Sequence, residues 1–305
     1  GARVTAPHPR AGPAGVSGVV VAPAPAPRAI RSGVGNDARR RRAYHRQVLG
    51  HLVRRGIPFL VGGGYALRQY VPDVRGTVDL DLFVRRRHAR AMLRALGALG
   101  LETDLTFPHW LGKARLGGDA IDIIYSSGNG LAAVDDEWFA HAVPATVLGV
   151  RVALCPPEEM IWSKAFVMER ERYDGADVAH ILRACHARLD WHRLTRRFGR
   201  NWRVLLSHLV LFGFVYPDER ASVPWELMSI LGRRLADESR LAPQAEGLCQ
   251  GTLLSRAQYL ADVSEWGYTD GRLGPHASMT EDDVARWTAA IGAPPGKDDA
   301  ASRRR

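Results

Sequence analysis

The sequence predicts an α+β fold: a small mixed β-sheet with flanking helices, followed by a mainly helical C-terminal region. Three observations carry this. Short strand-like runs, several of them β-branched or aromatic, alternate with segments of helical period as far as Leu154. Pro156-Pro157 then marks a change, and from Glu158 onward the apolar residues recur at helical spacing. A hydrophobic share of 46% in 305 residues is enough for a sizeable core.

The elements follow in order. Residues 1–35 are rich in Pro, Ala, Gly and Arg without periodicity, which predicts disorder. Asp37 is an N-cap candidate for a helix whose apolar positions include Tyr44, Val48, Leu49, Leu52 and Val53. Its Arg39–Arg42 run fits either a nucleic-acid contact or a solvated face. Pro58–Val61 is a first strand. The turn Gly62-Gly63-Gly64 opens a short helix through Tyr65, Leu67 and Tyr70, which Pro72 helps to end. A strand carrying Asp79 and Asp81 comes next, then a helix over His88–Leu99 with Met92, Leu93 and Leu96 inward. Strands follow at Leu101–Thr106, Trp110–Ala114, Ala120–Tyr125 and Val147–Leu154. Helices are expected at Glu158–Glu169, Asp174–Ala187, Trp191–Phe198, Trp202–Gly213 and Trp225–Leu241, with a last pair at Glu246–Leu260 and Thr280–Ile291. The polar tail 292–305 is expected to be disordered. The domain reading is therefore a core over 36–155 and a helical domain over 156–291.

The chemistry concentrates between Phe59 and Val84. A strand has a period of two, so Asp79 and Asp81 leave one face, roughly 6–7 Å apart at their backbones, while Val78, Leu80, Leu82 and Val84 face a core. Asp is a poor strand former, and two like charges this close call for a cation between them. A glycine turn that opens a helix offers backbone N–H groups to phosphate. Asp122 adds a third carboxylate. It stands within the apolar strand Ala120-Ile121-Asp122-Ile123-Ile124-Tyr125, where a lone charge should shift its pKa or find a partner unless the strand is a partly exposed edge. Hydrogen-bonded beside the Asp79–Asp81 strand, it would join the same cluster. A phosphate cradle beside metal-binding carboxylates suggests metal-assisted nucleotidyl transfer. No GxxxxGK[ST] occurs, which excludes a P-loop kinase at the level of motif.

The segments GGGYAL, RGTVDLDLFV and IDII together resemble the DNA polymerase β-like nucleotidyltransferase superfamily, and within it the minimal and AbiEii-type enzymes, many of them toxin components. The resemblance covers Asp37 to Leu154. It implies that Asp79 and Asp81 bind two Mg²⁺ ions (or Mn²⁺) with an NTP, and that Asp122 helps to hold the metal that activates an acceptor hydroxyl. Gly62 and Gly63 would lie against the triphosphate. Gly64 stands where many members have Ser, so a hydroxyl contact to phosphate is absent. The pattern continues in Lys164-Ala165-Phe166 and the stretch Arg170–Asp177. All but three of the 42 basic residues are arginines, the exceptions being Lys113, Lys164 and Lys297, so a lysine kept at 164 hints that an ammonium is wanted there. Asp174 and Asp177 fit a helix cap and first turn as well as they fit a site. Arg75 fits a phosphate contact or an ordinary loop arginine equally.

The net charge of +10 suits a polyanionic substrate, although the Ala, Gly and Arg bias also has a simple compositional origin. Arg193, Arg196, Arg197, Arg200 and Arg203 lean toward an RNA acceptor. The other acceptors are a protein, for a toxin-type enzyme with an antitoxin partner, or a small aminoglycoside-like alcohol. A catalytically idle regulator would be expected to have lost a carboxylate. Cys155, Cys185 and Cys249 show no metal or redox spacing and read as reduced thiols of a cytoplasmic protein. No apolar run is long enough for a membrane span, and no secretory signal is expected.

Overall fold

The computed structural model describes residues 32–72, 79–242 and 246–291. Most of the N-terminal segment, the tail 292–305 and Arg75 therefore lie outside the described residues. The elements are α1 (Ser32–Arg54), β1 (Leu60–Val61), α2 (Gly63–Tyr70), β2 (Leu80–Phe83), α3 (Arg86–Gly97), β3 (Glu102–Phe107), β4 (Leu111–Leu116) and β5 (Asp119–Ile124). They continue as α4 (Asp136–Ala140), β6 (Val143–Val147), β7 (Val150–Leu154), α5 (Pro157–Ala165), α6 (Gly175–Cys185), α7 (Trp191–Phe198), α8 (Trp202–Val215) and α9 (Trp225–Glu238). The last are β8 (Leu248–Cys249), α10 (Leu260–Ser264), β9 (Thr269–Asp270) and α11 (Glu281–Ala289).

The α+β expectation holds: a central mixed sheet is flanked by helices, and helices dominate the C-terminal region. Seven strands run in the order β3-β4-β5-β2-β1-β7-β6. β2 pairs parallel with β5 and β1 parallel with β7, while the remaining neighbours are antiparallel. On one face the alternate residues Leu80, Leu82, Ile121 and Ile123 are fully buried. They join Val48, Leu49 and Leu52 of α1 and Met92 and Leu96 of α3 in a core cluster that continues through Trp138 of α4 to Leu205 and Phe212 of α8. Burial of these side chains is the main stabilising term, roughly 1.5–3 kcal/mol for each large one.

Several local expectations need correction. α1 starts at Ser32, so Asp37 lies inside the helix rather than at its cap, and Arg41 of the arginine run is not simply solvated: its Nε donates to Asp119 at 2.7 Å. The single strand expected over Val147–Leu154 is half of a hairpin, β6–β7. Leu148 and Gly149 take φ of 51° and 78° at its tip, the left-handed pair that a two-residue turn requires. α5 stops at Ala165, because the chain then folds back through a Met168–Tyr173 bridge that brings residues 170–174 beside the helix end. No helix covers Glu246–Leu260. Gly247 sits at φ 65°, and Leu248–Cys249 pairs parallel with Thr269–Asp270 instead. α4 was not expected, although Asp135 caps it with its side chain on the N–H groups of Glu137 and Trp138.

The C-terminal segment folds back on the sheet. Thr280 and Asp283 form a capping box at the start of α11. Trp287 of that helix packs edge-on against Phe107 (4.7 Å) and Trp110 (5.2 Å) at the β3–β4 turn. No helix among the described residues is long and apolar enough to cross a membrane.

Candidate active site

The face of β2 opposite the buried leucines carries the acidic cluster. Asp81 and Asp122 are in-register partners on the adjacent parallel strands β2 and β5, so their side chains project together from one face. Asp79 stands one residue before β2, is exposed, and bears on Asp81 electrostatically. Burial pushes the Asp81 carboxyl up to about 7, with Asp122 and Asp79 pushing the same way; Lys164 and Arg172 oppose them. One strand further out, Lys113 of β4 is the in-register partner of Asp122, with Nζ at 3.1 Å from Oδ1. Beyond it, Asp104 of β3 is the partner of Lys113, and its carboxylate accepts from Arg115 at 2.8 Å. A row of charges thus crosses four strands: Asp104, Lys113, Asp122, Asp81.

The glycine turn lies against this cluster. The Gly62 N–H donates to the Asp81 carbonyl at 3.0 Å, which ties the turn to β2. A Cβ on Gly62 would sit 2.2 Å from Cε2 of Phe83, a ring stacked on Trp138. Gly63 has φ +52°, and a Cβ there would lie 1.6 Å from Oδ2 of Asp81. Both glycines are therefore dictated by contact. Gly62 caps α2 without a side-chain bond and the first turn holds no acidic residue, so its N–H groups, those of Gly63, Gly64 and Tyr65, form a positive end beside the carboxylates. Gly63→Ala should cost roughly 1–2 kcal/mol in backbone strain, about 2–8 °C in melting temperature, and should displace the Asp81 carboxylate. A melting curve that matches the wild type would show that the turn has room to spare.

Lys164, in the last turn of α5, donates to Asp174 at 3.0 Å and to Asp177 at 2.7 Å. Arg172 holds Asp174 with two bonds, at 2.9 and 2.8 Å. Burial alone would raise the Asp174 carboxyl, but the bonds from Arg172 and Lys164 outweigh it and hold it at about 2. Burial likewise opposes the charge on Lys164, and the two aspartates overcome it, keeping the ammonium charged. Asp174 occupies the N-cap position of α6 yet makes no side-chain capping bond. Its carboxylate serves the cations. Sequence reasoning missed Lys113 and Arg172. The scarcity of lysine in an arginine-rich chain was the available signal for Lys113.

The arginines that leaned toward RNA are mostly occupied by acids. Arg193 is buried against Glu158 and Glu159, Arg197 binds Asp135 and Glu159, Arg196 binds Glu137, and Arg203 binds Glu238. Arg193 and Arg197 are the cations of a buried network with Glu158 and Glu159, while Arg196 and Arg203 make exposed surface pairs.

Among the described residues, no three His, Cys, Asp or Glu side chains close around one point. A divalent ion at this cluster would therefore complete its shell from triphosphate oxygens and water, the usual manner of Mg²⁺. The residues present fit such an ion. Asp81 and Asp122 stand side by side in register with Asp79 one residue before the strand, a set of hard oxygen donors, and the nearest cations named above are already engaged by Asp122, Asp174 and Asp177.

No protein-family profile and no curated protein matches the chain. Solved structures similar to it include the following three. The antibiotic-resistance factor ANT(2'')-Ia in solution shares 18% identity over 55% of this chain and 95% of its own, with a TM-score of 0.40. ANT(2'')-Ia in complex with adenylyl-2''-tobramycin shares 15% over 51% and 93%, at 0.36. An antigenic nucleotidyltransferase-like protein from Paracoccidioides brasiliensis shares 17% over 60% and 91%, at 0.39. The functional reading rests on the residues of the site.

Proposed function

We propose that the chain is a metal-dependent nucleotidyltransferase that moves a nucleoside monophosphate group from an NTP to an acceptor hydroxyl. One observation carries the reading: Asp81 and Asp122 stand in register on adjacent strands, with a side-chain-free helix N-terminus pressed onto the Asp81 carboxylate. Asp79, Asp81 and Asp122 would hold Mg²⁺, or Mn²⁺ in its place, as one or two ions. Such ions, when bound, neutralise triphosphate charge and acidify the acceptor hydroxyl. The chain's own groups supply the rest. The first-turn N–H groups of α2 receive phosphate oxygens. Lys164, held on Asp174 and Asp177, adds positive charge near Asp81. Asp122 takes the proton of the acceptor hydroxyl, whose oxygen attacks the α-phosphorus as pyrophosphate leaves.

The test is calorimetric and radiochemical. An NTP at about a hundred times its Kd should stabilise the fold by about 2.7 kcal/mol, roughly 5–11 °C in melting temperature, when Mg²⁺ or Mn²⁺ is present and far less in chelator. Equal stabilisation in both would remove the carboxylates from nucleotide binding. Label from α-³²P-NTP, followed into RNA, protein and small-molecule fractions of a cell extract, separates a toxin-type target from an aminoglycoside-like alcohol. A folded protein that labels nothing with any NTP would favour the idle regulator.

A further inference from the structure

Lys113 is the one cation in the charged row that crosses the sheet, and it stands between two carboxylates. Asp122 is its register partner on one side and Asp104 on the other. Its contact with Asp122 is half-sheltered, the two side chains being 18% and 25% exposed, so it is more than a casual surface pair. Asp104 accepts from Arg115 and from the hydroxyl of Thr106, and as the register partner of Lys113 on its other side it is the remaining acid of the row to which the ammonium could turn. On the far side of Asp122 lies its register partner Asp81, a second carboxylate on the adjacent strand.

We propose that Lys113 is the resident counter-cation of this cluster: it holds Asp122 in the resting protein and gives it up to the divalent ion that arrives with nucleotide. The proposal rests on the nucleotidyltransferase reading. An ammonium and a metal ion compete for the same carboxylate oxygens, so occupation of Asp122 by Lys113 weakens metal binding in the absence of triphosphate. A triphosphate brings negative charge of its own, and the exchange then becomes favourable, with Lys113 free to turn to Asp104. The residue type suits the task. A guanidinium would grip the carboxylate with a planar two-donor fork, whereas a compact ammonium on a flexible stem lets go in small steps. In a chain whose cations are otherwise arginines, two of the three lysines, Lys113 and Lys164, are found at this cluster.

The test is Mn²⁺ uptake by the full chain, read from the electron paramagnetic resonance signal of the free ion. Without nucleotide, Lys113→Met should bind Mn²⁺ about tenfold more tightly than wild type, since an opposing charge has gone. Lys113→Gln, which keeps a hydrogen-bond donor, should show the same gain and stands in if the Met variant fails to fold. Lys113→Arg should bind no more tightly than wild type, and Lys113→Met combined with Asp122→Asn should lose the gain. With a non-hydrolysable NTP the difference between wild type and Lys113→Met should narrow. Equal or weaker Mn²⁺ binding by both neutral variants, in a protein that does take up Mn²⁺ with NTP, would overturn the exchange and leave the enzymatic reading standing. A wild type that takes up no Mn²⁺ even with NTP would bring down both.

Discussion

Replacing Asp122 by Asn is expected to reduce transfer by about 10²–10⁴-fold while leaving NTP binding largely intact. The side chain keeps its shape on β5, so its strand neighbours are undisturbed, but under the proposed mechanism it can no longer take the acceptor proton. Asp81→Asn should behave differently. Asp81 lies against the glycine turn, so losing its charge should weaken metal-nucleotide binding and transfer together. Neither change should unfold the protein. Asp81 carries a raised carboxyl because burial and two neighbouring carboxylates disfavour its charge, and removing one charge relieves that repulsion. Asp122→Asn also releases Lys113, which has Asp104 as its other register partner. Single-turnover transfer and NTP-dependent melting of each variant give the measurement. Undiminished transfer by Asp122→Asn would take it out of the proton-transfer step.

Much of this cluster was legible because strand geometry is simple. A period of two places Asp81 opposite Leu80 and Leu82, and the structure buries those leucines completely. The pairing of Asp122 with Asp81 could be anticipated from chemistry, since a lone charge among isoleucines needs company, but not from periodicity. β2 and β5 are joined across α3 and the β3–β4 hairpin, and register over such a distance is set by packing. Lys113 was missed for the same reason: its partnership with Asp122 exists only once β4 and β5 are aligned. The helix expected over Glu246–Leu260 failed where Gly247 takes a left-handed conformation and only a 3-10 turn forms, at Gly251–Leu253, a signal that the helical spacing of neighbouring apolar residues concealed. The five arginines of the helical region illustrate a different limit. Sequence displays their charge, but the acids that absorb it are 34 to 62 residues away in the pairs Arg193–Glu159, Arg197–Asp135 and Arg196–Glu137.

The largest stability effect is expected at that network. Arg193 is 4% exposed, and its guanidinium binds both oxygens of Glu159, at 2.6 Å each, and Glu158. Arg197 reaches Glu159 at 3.0 Å and Asp135 at 2.6 Å, so one carboxylate on α5 is shared by two cations from α7. Glu158 also accepts the N–H of Asp190, which precedes α7 and caps it through a bond from Arg193 N–H. The network thus fixes α7 against α5, the helix that carries Lys164, and Arg197 and Arg196 tie α7 to α4 and its cap through Asp135 and Glu137. Arg193→Met preserves most of the side-chain volume but leaves Glu158 and Glu159 buried with too little positive charge. Breaking a buried pair in this way should cost about 3–5 kcal/mol, roughly 6–20 °C in melting temperature. Adding Glu158→Met should restore part of the loss, because among the described residues Glu158 pairs with no other cation while Glu159 keeps Arg197, so this change spares the desolvation penalty of the orphaned carboxylate. The cost of the single substitution comes from the stranded acids. A double variant no more stable than Arg193→Met would show instead that packing of the guanidinium stem against α5 holds the helices together. Urea melts of the wild type, both single variants and the double variant decide between the two.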